Sequence, residues 1–304
     1  MAALELIDVS KSYAEVHAVR NLSFSIAEGA VFGLLGPNGA GKTTTIRMVM
    51  QIIIPDSGQV RVFDQNNSMK QRDRIGYMPE ERGLYKKMRV LDTILFFAEI
   101  KGRKAKEIKA PAQQWLERFD LIDWRDKKVE DLSRGMQQKL QFICTIIHQP
   151  RLIILDEPFT GLDPINTTLL KDVMLELRQN GATIIFSTHL MEQVEKLCES
   201  ICLINKGVKI LSGHLKEIKA QFKSSRIRLR YDGKADFLKD TSLVANFDDY
   251  GQYVEIELAE KTTPDRLLEK AIRQVSIQHF EITEPSLNEI FIRSVKETKQ
   301  EGGK

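Results

Sequence analysis

The sequence predicts an α/β protein built on an open parallel sheet, with an inserted helical subdomain and a small C-terminal α+β domain. Three observations predict it. The runs Val31 to Leu35, Leu152 to Leu155 and Ala182 to Phe186 are continuously apolar, as strands buried on both faces of a parallel sheet must be. Each run ends on its C-terminal side in chemically capable residues, Gly36 onward, Asp156-Glu157 and Ser187-Thr188-His189, which is the edge where ligands bind in open α/β sheets. The first run leads into Gly36-Pro37-Asn38-Gly39-Ala40-Gly41-Lys42-Thr43-Thr44, a full match to the phosphate-binding loop G-x-x-x-x-G-K-[ST], and a helical stretch opens at Lys42 and runs to about Ile52.

The loop's chemistry follows from its composition. Glycines let the backbone aim N–H groups at an anion, and the helix beginning there adds the positive end of its dipole. Lys42 is placed to reach β and γ phosphates, and the Thr43 hydroxyl to ligand Mg²⁺. Asp156, across the strand ends, can hold the same ion through water. Glu157, one residue on, is a candidate general base that orients and deprotonates an attacking water.

Bulk composition narrows the function classes. The 304 residues suffice for one large core and a smaller appended domain, and 42% hydrophobic with 29% charged residues fits a globular chain. A net charge of +3 argues against a general nucleic-acid binder. No apolar run reaches the ~18 residues that a membrane span needs, and Val90 to Ile100 is broken by Asp92 and Glu99. Glu5 and Asp8 stand where a signal peptide needs apolar residues, so a cytoplasmic location is expected. Cys144, Cys198 and Cys202 form no C-x-x-C pair and are expected as free buried thiols.

In chain order, Leu4 to Ile26 reads as two strands joined around Ala14 to His17, with Tyr13 in the connection. Pro55-Asp56-Ser57-Gly58 is a turn, followed by strands at Gln59 to Phe63 and Arg74 to Tyr77. Helical patterns then cover Val90 to Lys101 and Glu107 to Phe119, Pro111 marking a kink or a new start. A third helix follows Leu132-Ser133-Arg134-Gly135-Met136, so about 84–148 is an inserted helical subdomain. Asp163-Pro164 is a helix start with Asp as cap. Ile201 to Asn205 and Val208 to Leu211 flank a turn at Lys206-Gly207. The main domain is set at 1–220. From about Lys223 to the end, 223–304, a smaller unit carries the alternating strands Arg226 to Arg230 and Val254 to Leu258, a helix from Thr263-Pro264, a strand at Ser276 to Ile282, a helix from Pro285 and a frayed tail. The three arginines of Arg226 to Arg230 read as the solvated face of a strand.

The loop at 36–44, LSRGM at 132–136, Asp156-Glu157, Gly161-Leu162-Asp163 and His189 together resemble the nucleotide-binding subunit of ABC transporters, over about residues 4 to 215. The resemblance implies an ABC-type ATPase fold with ATP and Mg²⁺ as cofactors. It also implies that Tyr13 stacks on adenine, that Ser133 and the Gly135 backbone contact the γ-phosphate of ATP on a second copy, that Asp163 lies at the dimer seam, and that His189 bonds the γ-phosphate. The family's LSGGQ is LSRGM here, and its glutamine after Tyr-x-Pro is Glu80, which would make that metal and water contact anionic. The stretch Met78 to Tyr85 and the tail Pro285 to Phe291 resemble a branch of exporter subunits that includes sodium-efflux ATPases.

The reading is an ATP-hydrolysing subunit that dimerises on ATP, as a homodimer or with a related subunit, and powers export through a separate integral membrane permease on the inner face of the cell membrane. Leu84, Tyr85 and Met88 fit either a groove for a permease helix or plain core packing. The alternative is a soluble ABC-type ATPase of translation or DNA maintenance. A P-loop kinase leaves LSRGM and His189 without a role.

Overall fold

Two units make up the computed structural model, 1–215 and 216–304; residues 1–66, 69–81, 83–222, 226–260 and 262–301 are described. Arg82 of the exporter-like stretch, Lys223 at the expected domain start and the last three residues of the tail lie outside them.

The first unit opens with the long hairpin β1 (Ala2–Tyr13) and β2 (Val16–Ala27), followed by β3 (Val31–Leu35) and α1 (Lys42–Val49). α1 stops earlier than the sequence reading, which carried it to about Ile52: Gln51 turns into the left-handed region and ends it. β4 (Ser57–Val62), β5 (Gln65–Asn66) and β6 (Ile75–Met78) precede the helical insert of α2 (Val90–Ile100), α3 (Ala105–Arg118) and α4 (Arg134–Ile146). Pro111 neither starts nor ends a helix; α3 runs through it, with Ile108, Ala112 and Leu116 buried on one face at helical spacing. That packing outweighs one lost backbone hydrogen bond. The unit continues with β7 (Leu152–Asp156), α5 (Pro164–Gln179), β8 (Thr183–Thr188), α6 (Met191–Leu197), β9 (Ser200–Asn205) and β10 (Val208–His214), and α7 (Leu215–Gln221) follows.

Two sheets organise it. The order β10-β9-β3-β8-β7-β6 is parallel apart from β10, and the antiparallel sheet runs β2-β1-β4-β5. β3, β7 and β8 are buried along their whole length, the reason their sequences show no alternation. Between the sheets Leu4, Leu6, Phe24 and Ile26 pack against Phe32, Leu34, Ile46 and Ile154, with the Phe24 and Phe32 rings stacked at 5.3 Å. Cys144, Cys198 and Cys202 are free and buried, and burial pushes the Cys202 thiol up to about 12.

The second unit is an antiparallel sheet in the order β12-β13-β11-β14, made of β11 (Arg226–Asp232), β12 (Val244–Asp249), β13 (Val254–Leu258) and β14 (Ser276–Thr283). α8 (Pro264–Ile272), capped by the Thr263 hydroxyl, adds Leu267 and Ala271 to a core with Ile227, Leu229, Phe237 and Ile256. α9 (Leu287–Glu301) closes the chain. The helix thus extends well into the stretch expected to fray. The arginines of β11 sit on the face opposite this core; Arg230 is exposed as expected, but two are not merely solvated: Arg226 pairs with Glu289, and Arg228 with Glu255 at 2.8 Å and Glu281 at 3.8 Å.

Candidate functional site

The phosphate loop forms between a strand with no exposed residue and a helix with a free N-terminus. Close approach explains two of its glycines: a Cβ on Gly36 would stand 2.2 Å from the Ile204 carbonyl oxygen, and one on Gly41 would stand 2.4 Å from that of Ala18. Gly41, left-handed at φ 106°, is the cap of α1 and offers no side chain, so the first N–H groups are open to an anion. The Lys42 ammonium is folded back over the loop, donating to the carbonyls of Gly36 at 2.8 Å and Pro37 at 3.2 Å.

Glu157 meets this lysine at 3.7 Å, and both side chains are only 6% exposed. Its backbone is left-handed, φ 49°, and its N–H is held by the carbonyl and hydroxyl of Ser187. This geometry departs from the extended strand and turns the carboxylate out of line with Asp156. The Thr188 hydroxyl donates to Glu157 Oε2 at 3.1 Å, and His189 Nδ1 lies 3.0 Å from Oε1. A carboxylate only accepts, so Nδ1 carries the hydrogen and Nε2 is left to engage a second group. His189 is half-exposed while its partner is buried.

Asp156 is fully buried. One oxygen accepts from the Ser187 hydroxyl; the other, Oδ2, is a buried acceptor with no partner among the described residues. Asp156, Thr43 and Glu80 line one cavity of about 420 Å³, whose wall includes Tyr77, its phenol pushed up to about 12 by burial and then by the Asp156 charge. An orphaned carboxylate oxygen in a residue that shares a cavity with a threonine fits a hard cation. Among the described residues no group of three or more His, Cys, Asp and Glu could hold a metal ion; Mg²⁺ is ordinarily bound by one or two carboxylates together with substrate phosphates.

A cleft of about 610 Å³ runs along the loop, from Glu80 and Glu157 to Glu15, His17, Arg20 and Lys206. Tyr13, the last residue of β1 rather than part of the connection, is 45% exposed and stands two residues before Glu15; it is not among the described residues lining the cleft. The Lys11 ammonium lies 5.8 Å from its ring.

Ser133, Gly135 and Asp163 do not line the cleft. They form a second locality on the same unit. The Ser133 hydroxyl caps α4, accepting from Met136 N–H at 3.3 Å, and Asp163 caps α5, accepting from Asn166 N–H, which holds its carboxyl below the usual range. A Cβ on Gly135 would find the Gly161 carbonyl at 3.5 Å, an ordinary contact, so nothing within the chain demands glycine there. Two glutamines of α4 tie the localities together: Gln138 donates to the Pro158 carbonyl at 3.1 Å and Gln141 to that of Pro79 at 2.9 Å. The segments carrying Glu157 and Glu80 hang on one helix.

Beside them a groove of about 280 Å³ is lined by Tyr77, Leu84, Phe97 and Ile100, with Gln141 and His148 also in its wall. Burial pushes His148 down to about 4. Leu84 and Met88 are half-buried, and Tyr85, 54% exposed, packs edge-on against Phe96 at 5.3 Å.

Sequence reasoning gave no individual role to Ser187 and Thr188 and missed Glu15, His17, Arg20 and Lys206. The first two carried a signal in the polar end of β8; the others stand in turns or strands whose letters point to no ligand.

A parallel sheet with a phosphate loop after its first buried strand, and an Asp-Glu pair after another, defines a P-loop ATPase. The sequence profile of the family described as ABC transporter matches residues 19–160, and that of the "ATP-binding protein DrrA1-3-like, C-terminal domain" matches 213–295. An AAA-domain profile (putative AbiEii toxin, type IV TA system) matches 128–194. The uncharacterized ABC transporter ATP-binding protein YhaQ of Bacillus subtilis is 40% identical, covering 96% of this chain and 98% of that protein. The linearmycin resistance ATP-binding protein LnrL of the same species is 30% identical over 95% and 97%, and a Nod factor export ATP-binding protein I of Bradyrhizobium diazoefficiens is 38% identical over 69% and 70%. A solved structure of an ATP-binding subunit of an ABC transporter superimposes with a TM-score of 0.68 at 30% identity, covering 72% of this chain and 93% of that one. The chain belongs to the ATP-binding subunits of ABC transporters, and it is an ATPase with a DrrA-like C-terminal domain. Among the described residues no helix is long and apolar enough to cross a membrane.

Proposed function

We propose that this subunit powers export through a separate membrane permease, closing as a dimer on ATP and reopening after hydrolysis. The observation that carries the mechanism is the buried Glu157 carboxylate, turned out of the strand by a left-handed backbone and held by Thr188 and His189 beside Lys42. In this reading Glu157 takes a proton from the attacking water. Lys42 exchanges its contacts with the Gly36 and Pro37 carbonyls for β- and γ-phosphate oxygens. His189, its hydrogen fixed on Nδ1, uses Nε2 at the γ-phosphate. The loop from Gly36 to Thr44 cradles the phosphates, and Tyr13 stacks on adenine. Thr43, Asp156 and Glu80 would hold Mg²⁺, which when bound neutralises charge on the phosphate oxygens.

Ser133 and Gly135, which do not line the chain's own cleft, complete the site of a second copy, with Asp163 at the seam. The free glycine at 135 and the 82% exposed Ile165 beside Asp163 support this assignment. A homodimer is the simpler assembly; a related subunit can replace the second copy. The groove bordered by Leu84, with Tyr85 and Met88 beside it, would receive a permease segment, fixing the subunit to the inner face of the membrane. The name of the Nod factor export relative supports export.

Glu157→Gln tests the centre of this reading. It should keep ATP binding, slow turnover by about 10²-fold or more, and accumulate an ATP-bound dimer on size exclusion with light scattering. Turnover at the wild-type rate would remove Glu157 from the role of base.

A further inference from the structure

We infer that Arg20 and Lys206 form a cationic clamp on the diphosphate portion of the bound nucleotide, an inference that rests on the ATP-binding reading of the cleft. Both residues line the cleft, and both are exposed. They come from distant parts of the chain and are brought together by main-chain bonds. Arg20 N–H donates to the Gly207 carbonyl at 2.8 Å, and Gly207 N–H donates to the Ala40 carbonyl of the phosphate loop at 2.9 Å. The pair is therefore fastened to the loop backbone, which cradles α- and β-phosphates, whereas Glu157 meets the loop at the Lys42 ammonium, which reaches β and γ.

Other cations nearby are tied down: Lys11 to Asp56 at 2.6 Å, Lys42 to loop carbonyls, Lys209 to the Ser23 carbonyl at 2.8 Å. Among the described residues neither the Arg20 guanidinium nor the Lys206 ammonium has such a partner. The turn adds an independent sign. Lys206 (φ 49°) and Gly207 (φ 77°) are the two central residues between the paired Asn205 and Val208, both left-handed. Asn or Asp is favoured at the first of these positions, and a lysine is held there against a backbone preference. Gly207 has no freedom to change, since its Cβ would stand 2.8 Å from the Ala18 carbonyl oxygen. A long cation placed at a position suited to asparagine, over a phosphate cleft, with no partner of its own, matches an anionic ligand.

The test is equilibrium binding of ATP, ADP and adenosine to the full-length chain, with Arg20→Gln, Lys206→Asn and the double variant. Lys206→Asn removes the charge and installs the residue the turn prefers, so it separates charge from folding. The double variant should lose affinity for ATP and ADP by the same factor, about tenfold, and the loss should shrink in high salt; adenosine binding should not change. Equal affinity of wild type and double variant overturns the clamp and leaves the ATP reading standing. A loss confined to ATP assigns the pair to the γ-phosphate and overturns it as stated, and a loss shared equally by adenosine does so too. If the wild-type chain binds neither ATP nor ADP, the ATP reading and the clamp fall together.

Discussion

A buried charge pair in the first of the two units contrasts with an exposed one in the second. In the first, Lys42 and Glu157 face each other at 3.7 Å with 6% of each side chain exposed. In the second, Arg228 bridges Glu255 and Glu281 on a face where it is 41% exposed. Withdrawing ions from water costs several kcal/mol each, and a buried pair recovers that only with good geometry and further hydrogen bonds; an exposed pair costs and contributes little. The buried pair is therefore poor value as a stabilising device and good value as chemistry, while the ladder on β11 holds a surface in register. A deeply buried charge pair thus points to chemistry, whereas exposed charges serve the scaffold and the site alike, as Arg228 on β11 and Lys206 in the cleft illustrate.

Ser133 offers the sharpest test of that contrast, because it is exposed yet is assigned to the site. Ser133→Arg should lower ATP turnover by about 10²-fold or more while each chain still binds ATP; hydrolysis at the normal rate would end the shared-site reading. The core of the second unit should show the next effect. Ile256→Ala, at a fully buried position, should destabilise that unit by about 2–4 kcal/mol in chemical denaturation, with ATP affinity unchanged. Coupled loss of ATP binding would mean that the two units do not behave separately. The smallest effect belongs to the ladder: Arg228→Ala should cost less than about 1 kcal/mol, and a larger loss would show the ladder to be structural in its own right.

Much of the first unit was legible because its signals are local and redundant. Buried strands read as apolar runs, the phosphate loop has a fixed spelling, and Asp163-Pro164 spells a helix start that α5 adopts. β12 was missed for the converse reason. Only Val244 of its six residues is buried, and as an edge strand it shows no alternation to read. Nor does the sequence announce that Glu157 is left-handed, since that conformation is favoured by Gly and Asn and is imposed here by the Ser187 backbone. Tyr13 was placed in the connection because β1 runs to its last possible residue before the turn. The arginines of β11 were recognised as one face, but their partners Glu255, Glu281 and Glu289 come from elements that only folding brings alongside.

The fastening of Gly207 to Ala40, with the Ile204 carbonyl against Gly36, links the phosphate loop to residues more than 160 positions further along. A ribosome that has released only the loop, its helix and the helical insert has made every letter of the motif without the strand that sets its shape. Such long-range pairings form late, so the nascent chain carries an unfinished cradle until β9 and β10 arrive. Premature termination before Ile204 would then yield a fragment that spells a nucleotide site and lacks the wall against which that site is built.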